Sequence, residues 1–181
     1  MSPQEFTAAW GADDLLPVAS SALQAVPLSE PSRHFLEEAG LPQEAKPNLT
    51  FYPLPDALAP LPDVLEEVDL PLDYRRYLLL ADDGGTFLCI DARENGHIVS
   101  VDAYQELPTR FVNTTVSQFA ECLLAYRALP GPEQAKGASK HEIRGWLSQL
   151  RDQFNGIDAE ALRDADNWWS VITEELEVFT R

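Results

Sequence analysis

The sequence has few basic residues. Thirteen Lys and Arg stand against thirty Asp and Glu, which gives a formal net charge of −17 over 181 residues. A field of that sign repels nucleic acid and anionic membranes and attracts basic partners. The same charge also keeps a protein soluble, so charge alone leaves both a binding role and a solvating role open.

Metal-ligating and redox residues are also scarce. The chain has two cysteines, Cys89 and Cys122, and three histidines, His34, His97 and His141. Both cysteines lie in or beside apolar runs, as buried free thiols usually do, and no Cys-x-x-Cys pair is present. Because the histidines fall on different predicted elements without an HExxH or HxH spacing, we expect no transition-metal site.

Motifs for phosphate binding or nucleophilic catalysis are missing as well. The turn Asp82–Gly85 lacks the Gly-Lys-Ser/Thr ending of a phosphate loop, and the Ser20-Ser21 pair and Ser100 have no flanking nucleophile-elbow glycines. Asp82 and Asp83 could bind a cation with Asp91, but a tight turn is favoured because Asp tolerates unusual backbone angles. We therefore predict no enzymatic activity, no bound metal and no organic cofactor.

Long apolar runs do not occur. No window approaches the length of a membrane span, and the segment Met1–Phe6 has neither the basic nor the apolar part of a secretion signal. We expect a soluble, cytoplasmic protein. The sequons at Asn48 and Asn113 are accordingly interpreted as chance matches.

The middle of the chain predicts an antiparallel sheet. Three short apolar runs between Tyr77 and Val101 are separated by two turns rich in Asp, Asn and Gly. The second turn, Arg93–Gly96, contains Asn-Gly, the strongest short-range hairpin signal. Strands 86–91 and 97–102 are therefore predicted to pair antiparallel through this turn.

Helices are predicted on both sides of this sheet. Capping boxes begin at Ser2, Thr115 and Ser139, and a further helix is predicted over residues 32–39. In the last helix, neighbouring positions point about 100° apart, so one residue of the Trp168-Trp169 pair is expected in the core and the other at its margin. The order of elements predicts an α+β fold, with one domain over residues 1–181 and a central antiparallel sheet wrapped by N- and C-terminal helices.

Periodic apolar positions predict the core. The side chains expected to be buried are Phe35, Leu36, Leu88, Ile90, Val99, Phe119, Leu123, Trp146 and Leu150.

Residues 53–73 are rich in proline and carry six acidic residues without one basic residue. The acids are Asp56, Asp63, Glu66, Glu67, Asp69 and Asp73. A proline-rich backbone is expected to form an extended excursion that holds these carboxylates outside the core, with the Asp82-Asp83 turn beside them. These eight residues are the predicted partner-binding residues. The acids between Asp158 and Glu177 form a rival candidate surface. Either set of acids could instead be a solvated face that binds no partner.

Short patterns occur in a fixed order along nearly the whole chain. They are Phe6 and Trp10, Leu16-Pro17, Arg33-His34-Phe35-Leu36, Gly40-Leu41-Pro42, Leu88-Cys89-Ile90-Asp91, Gly96 with Val99, Phe111-Val112-Asn113 with Phe119, and Trp168-Trp169. Together they resemble the SUKH superfamily, in particular its SUKH-4 type of bacterial immunity proteins. The resemblance implies an α+β fold and an antidote that binds and neutralises a cognate toxin domain, often a nuclease or deaminase. It implies no catalytic residues and no particular binding epitope.

The resemblance and the charge favour the same function. Nuclease domains need basic surfaces to bind phosphate backbones, and an acidic antidote would be steered onto such a surface. We therefore predict an immunity protein that binds a toxin domain. Two alternatives stay open: a small acidic enzyme with an unrecognised cleft, which perturbed pKa values in that cleft would favour, and a regulatory or scaffold domain. The oligomeric state is left open.

Overall fold

The computed structural model describes residues 1–24, 26–53, 58–104, 106–131 and 137–178, and these ranges form a mixed α+β structure. The helices are α1 (Pro3–Trp10), α2 (Ser20–Leu23), α3 (Glu30–Glu38), α4 (Leu61–Val64), α5 (Val116–Arg127), α6 (Lys140–Ile157) and α7 (Trp168–Val178), with 3-10 helices at Ala12–Asp14 and Leu72–Arg76. The strands are β1 (Leu15–Leu16), β2 (Leu41–Pro42), β3 (Glu44–Ala45), β4 (Leu49–Phe51), β5 (Tyr77–Asp82), β6 (Phe87–Asp91), β7 (His97–Val101) and β8 (Arg110–Asn113). The predicted fold class is confirmed.

Six strands form one antiparallel sheet in the order β3-β4-β5-β6-β7-β8, while β1 and β2 pair separately. The predicted hairpin is confirmed, because β6 and β7 pair from Phe87 opposite Val101 to Asp91 opposite His97. In its turn, the φ of Asn95 is 55°, a backbone angle that Asn adopts more readily than most residues. Every pair of neighbours in this sheet is consecutive along the chain, so the local turn signals determine much of the sheet.

Three helices, α1, α5 and α6, begin where a local capping signal predicts. Ser2 and Ser139 complete capping boxes with Glu5 and Glu142, and the Thr115 side chain accepts a hydrogen bond from the third residue of α5. The third helix instead begins at Glu30, two residues earlier than predicted. Its cap is Ser29, and Pro31 lies in the first turn, where a missing backbone N–H leaves no hydrogen bond unmade.

The first face of the sheet packs against helices. Strands β5 to β8 contribute the buried residues Leu80, Leu88, Ile90, Ile98 and Val112 to this cluster. Helices α1, α3, α5, α6 and α7 contribute the fully buried aromatic side chains of Phe6, Phe35, Phe119, Phe154 and Trp169. This helical layer contains most of the core.

The second face is covered by a segment that we call the strap, residues 58–76. Leu61 is fully buried there together with Leu79 and Val101 of the sheet, and Leu65 and Leu70 pack against the same cluster. The described acids of the segment lie outside the core as expected, but Leu61, Leu65 and Leu70 pack against the sheet, so the segment is more than an excursion over the surface. These leucines alternate with the acids and give the segment an apolar side.

Among the side chains predicted to form the core, Trp146 alone is not buried. It is half-buried. The buried stripe of α6 is Leu147, Leu150 and Phe154, and Trp146 lies about 100° around the helix from Leu147. The expectation for the tryptophan pair is also corrected. Trp168 is only 2 % exposed, since it packs edge-on against Trp169 with the ring centroids 4.6 Å apart.

Candidate protein-binding surface

The strap is tied to the sheet at its start. Leu58 N donates to Leu79 O at 2.7 Å, and Leu79 N donates to Ala59 O at 2.9 Å. Because Leu61 then turns into the core, the acidic residues between the apolar positions face outward. The strap is therefore apolar towards the sheet and acidic towards solvent.

The acids of the strap differ in whether an ion pair balances their charge. Glu66, Glu67 and Asp69 are exposed and form no ion pair with any residue that the structure describes. Asp63 and Asp73 are exposed too, but each has a cationic partner. Of the remaining predicted residues, Asp56 lies outside the described residues. Unbalanced negative charge is therefore concentrated at residues 66–69.

The two balanced acids bind arginines within or beside the strap. Arg75 donates two hydrogen bonds to the Asp63 carboxylate, at 2.5 and 2.8 Å, and these hold the pKa of Asp63 below its usual value. Asp73 forms ion pairs with Arg93 and, at 3.7 Å, with Arg76. Such exposed pairs contribute little to stability, but they leave less negative charge for a partner.

The Asp82-Asp83 turn is not beside these acids. It lies at the end of β5 away from Asp73, and the strand is about 16 Å long at the usual rise per residue. Both carboxylates hold the turn: Asp82 accepts from Gly84 N at 3.1 Å, and Asp83 accepts from Gly85 N at 3.0 Å.

The same two residues also reach neighbouring elements. Asp82 accepts from the Tyr52 hydroxyl at 3.0 Å, and Asp83 accepts from Trp168 Nε1 at 3.0 Å. Asp91 is opposite Tyr77, at the other end of the β5–β6 pair, so the structure does not bring it together with the turn as a cation site would require.

A second surface feature is not among the predictions from the sequence. Asp102 is 6 % exposed, and its carboxylate accepts from the backbone N–H groups of Tyr104, Glu106 and Leu107 at 2.8, 3.0 and 2.9 Å. This segment, residues 102–104 and 106–109, is called the Asp102 loop. It presents two large side chains to solvent: Tyr104 is 74 % exposed and Leu107 is 46 % exposed. In the sequence, the signal for this loop is Asp102 shortly before Leu107-Pro108, because Asp commonly organises turns.

Tyr77 of β5 connects the Asp102 loop to the end of the strap. The Tyr77 hydroxyl is 3.4 Å from Thr109 Oγ1, and the Tyr74 and Tyr77 rings meet edge-on at 5.4 Å. Burial raises the pKa of Tyr74, and the neighbouring Tyr77 and Asp102 raise it further. Leu72, in the 3-10 helix of the strap, is 86 % exposed. Strap and loop thus form one acidic surface with exposed apolar side chains.

The rival C-terminal surface contains one acid that is not on the surface at all. Asp158 is buried and accepts from Asn113 Nδ2 at 3.0 Å, from Thr114 N at 2.7 Å and from Thr114 Oγ1 at 3.0 Å. Trp169 Nε1 donates to Asn113 Oδ1 at 2.9 Å. The exposed acids of this surface include Asp166, Glu174 and Glu175.

Comparison of sequences decides the family. A sequence model of the SUKH-4 immunity protein family matches residues 1–175. The chain belongs to the SUKH-4 immunity protein family. No curated protein and no solved structure gives a significant match.

The residues behind the resemblance hold this SUKH-4 fold together. Phe6 packs against Trp10 and Phe35, with ring centroids 5.6 and 5.3 Å away. Asn113 and Trp169 join the last strand to the last helix. Since such residues pack or turn the chain, they identify the family without marking its partner-binding surface.

The thiols, the possible metal ligands and one groove of this SUKH-4 chain bear on its chemistry. Burial raises the pKa of Cys122 to about 12 and that of Cys89 further, so both thiols stay protonated at neutral pH. Within the described ranges, no three His, Cys, Asp or Glu side chains converge as metal ligands would, and no helix is long and apolar enough to cross a membrane. An open groove of about 780 Å³ near Trp10 and Arg127 is lined by side chains of both charges, without Cys, His or Ser.

Proposed function

We propose that this SUKH-4 protein neutralises a basic toxin domain, a nuclease or a deaminase, by binding it through the outer side of the strap, inside the bacterial cell that makes both proteins. Membership of the immunity protein family supports the antidote role. The observation behind the choice of surface is the group of three exposed carboxylates at Glu66, Glu67 and Asp69, which form no ion pair within the described part of the chain.

Electrostatics explains how such a surface finds its partner. A toxin domain that handles nucleic acid presents Lys and Arg where the phosphates bind. The net charge of −17 attracts that surface at long range, while local unpaired carboxylates orient the encounter within the Debye length of about 8 Å. Carboxylates already paired with arginine, such as Asp63, contribute less to that local orientation.

The C-terminal acids support the proposal less well. Asp158 is buried, while Glu160 forms an ion pair with Arg163 at 2.7 Å and Glu177 forms one with Arg151 at 2.6 Å. Glu174 and Glu175 lie on α7, whose Ile172 and Leu176 pack against the core, and Asp164 and Asp166 precede that helix. The strap has its apolar side committed to the sheet and its acidic side open.

The test is co-expression with the toxin domain encoded beside the gene. We expect cells carrying both genes to survive induction of the toxin, and the two proteins to purify together. A toxin domain from an unrelated locus serves as the control and should neither be neutralised nor co-purify. If the unmodified chain fails to bind or protect against any toxin encoded beside it, the proposed function is wrong.

A further inference from the structure

We infer that Tyr104 and Leu107 of the Asp102 loop, with Leu72 of the strap, are the apolar anchor of the toxin interface and insert into an apolar pocket bordered by basic side chains on the toxin domain. This inference rests on the proposed function. It adds the residues that hold the complex together once the acidic surface has formed it.

The exposure of these side chains is the first observation. Among the residues that the structure describes, the large apolar side chains left exposed are Met1, Leu72, Tyr104 and Leu107. Three of these four lie on the strap, at Leu72, or on the Asp102 loop, and Tyr77 connects the two segments through its contacts with Tyr74 and Thr109. Tyr is among the residue types that contribute most to binding free energy at protein interfaces, because its ring covers a large area and its hydroxyl tolerates a polar rim.

The loop is also ordered before any partner arrives. The buried Asp102 carboxylate receives three backbone hydrogen bonds within five residues, and Thr109 contacts Tyr77 at the base of the loop. Binding therefore requires little further ordering of this backbone, which lowers the entropic cost of association. A ring exposed on a preorganised loop is well suited to an anchor.

Charge determines which partner fits. Residues 102–109 include Asp102 and Glu106 and no Lys or Arg, and the adjoining strap displays Glu66, Glu67 and Asp69. A pocket for Tyr104 must therefore be rimmed by cations, which can also interact with the face of the tyrosine ring. A second copy of the same chain is a poor occupant, because each copy has a net charge of −17 and the two would repel each other.

The acidic carboxylates and the apolar anchor have different kinetic roles. Exposed charges act mainly on the association rate, whereas buried side chains at an interface act mainly on the dissociation rate. Removing the anchor should therefore leave steering intact and shorten the life of the complex.

The test measures association and dissociation with the purified toxin domain encoded beside the gene. For the double variant Tyr104→Ala/Leu107→Ala we expect dissociation about 30-fold faster, since a hot-spot residue costs about 2 kcal/mol or more, with association changed less than about threefold. Leu72→Ala should act in the same direction. Tyr104→Phe keeps the ring and should stay close to the parent, as should Gln153→Ala on the exposed side of α6.

The outcomes are distinguishable. Near-ultraviolet circular dichroism confirms that each variant is folded before binding is measured. If the double variant dissociates as slowly as the parent, the anchor is elsewhere and the inference is overturned while the proposed function remains. If the unmodified chain does not bind the toxin domain, both are overturned. If sedimentation shows a dimer that Tyr104→Ala abolishes, the surface is covered by a second copy and the inference is again overturned.

Discussion

At the scale of the residue, Phe119 shows how the helices are held against the sheet. Its ring is fully buried and lies 6.2 Å from that of Phe51 on β4 and 6.5 Å from that of Trp169 on α7. Truncation of such a side chain removes buried apolar area and leaves a cavity that the neighbours fill only in part. We expect Phe119→Ala to lower the free energy of unfolding by about 3 to 5 kcal/mol, measured by urea denaturation.

The exposed Tyr104 offers a matched control for that measurement. Because most of its side chain is in solvent, Tyr104→Ala should change the free energy of unfolding by less than about 0.5 kcal/mol. Equal midpoints for the parent and Phe119→Ala would contradict the assignment of Phe119 to the core.

The two cysteines give a second prediction at the residue scale. Both thiols are free and buried, and burial keeps their pKa values far above neutral pH. Since the thiolate is the reactive form, we expect neither Cys89 nor Cys122 to react with an aromatic disulfide reagent at about pH 7 in the native protein. In denaturant, both thiols should react. Rapid labelling of the native protein would show that at least one thiol is accessible.

At the scale of the element, Gly40 fixes how α3 leads into β2. Its φ is +72°, and a Cβ there would lie 2.0 Å from the backbone oxygen of Leu16 on β1. Neither the angle nor the backbone contact can be relieved by a side-chain rotation. We expect Gly40→Ala to destabilise the protein by more than about 1 kcal/mol in thermal denaturation.

Gly145 provides the opposite sign in the same experiment. It lies inside α6 and is exposed. Apart from its two neighbours and the backbone of its own helix, no described atom lies within 4 Å of the position that an alanine methyl group would occupy there. Gly145→Ala should therefore stabilise the protein by about 0.5 to 1 kcal/mol, because Gly costs that much in a helix interior. If Gly40→Ala raised the melting temperature as Gly145→Ala should, the backbone geometry assigned to Gly40 would be wrong.

The connection between β8 and the C-terminal helices depends on Asp158. Asp158→Ala removes the acceptor for Asn113 Nδ2 and for two donors of Thr114. Asn113 is fully buried and keeps only the long contact of its Nδ2 with Cys122 Sγ at 3.5 Å, while Thr114 is half-buried. An unsatisfied buried donor costs about 1 to 3 kcal/mol, so we expect a loss of at least about 2 kcal/mol in urea. The exposed Asp152→Ala is the control and should change little. A loss no larger than that of the control would show that the network is not stabilising.

An element could be predicted from the sequence when the residues that determine it lie close together along the chain. The β6–β7 hairpin and the helix starts at Ser2 and Ser139 depend on residues within a few positions, and these predictions are confirmed. The bonds of Asp158 to Asn113 and of Trp168 to Asp83 join residues 45 and 85 positions apart. A local sequence pattern does not predict such partners, because they come into contact only once the chain has folded.

The candidate surface could be predicted only in part for the same reason. The run of acids in the strap is visible in the sequence, but the arginine partners of Asp63 and Asp73 meet them only once the strap has folded. Tyr104 and Leu107 also resemble ordinary core residues in the sequence. Their exposure depends on the position of Asp102, which a single sequence does not give.

At the scale of the whole molecule, charge and packing are divided between two sides. Helices and their aromatic side chains cover the first face of the sheet, and the strap covers the second with a thin apolar layer. A surface built on such a layer can change its outer residues with little effect on the core.

The last prediction tests the strap against the rival surface. The triple variant Glu66→Lys/Glu67→Lys/Asp69→Lys should stay folded, because exposed carboxylates contribute little to stability. Its association with the toxin domain encoded beside the gene should be about tenfold slower or more at low salt, since long-range steering acts mainly on the association rate. The salt dependence of that rate should also weaken, because fewer attractive charges remain to be screened.

The matched control is the triple variant Asp166→Lys/Glu174→Lys/Glu175→Lys, which changes the net charge by the same amount on the C-terminal surface. If the strap is the docking surface, this control should slow association much less, because only the overall field is altered and not the charges nearest the toxin. Stopped-flow measurements from about 20 to about 300 mM salt would separate the effect of the overall field from that of the charges nearest the toxin. Added salt shortens the Debye length and so screens the distant charges more than the near ones. Equal slowing by both triples would show that net charge alone steers the encounter. Slowing by the control alone would move the interface to the C-terminal acids.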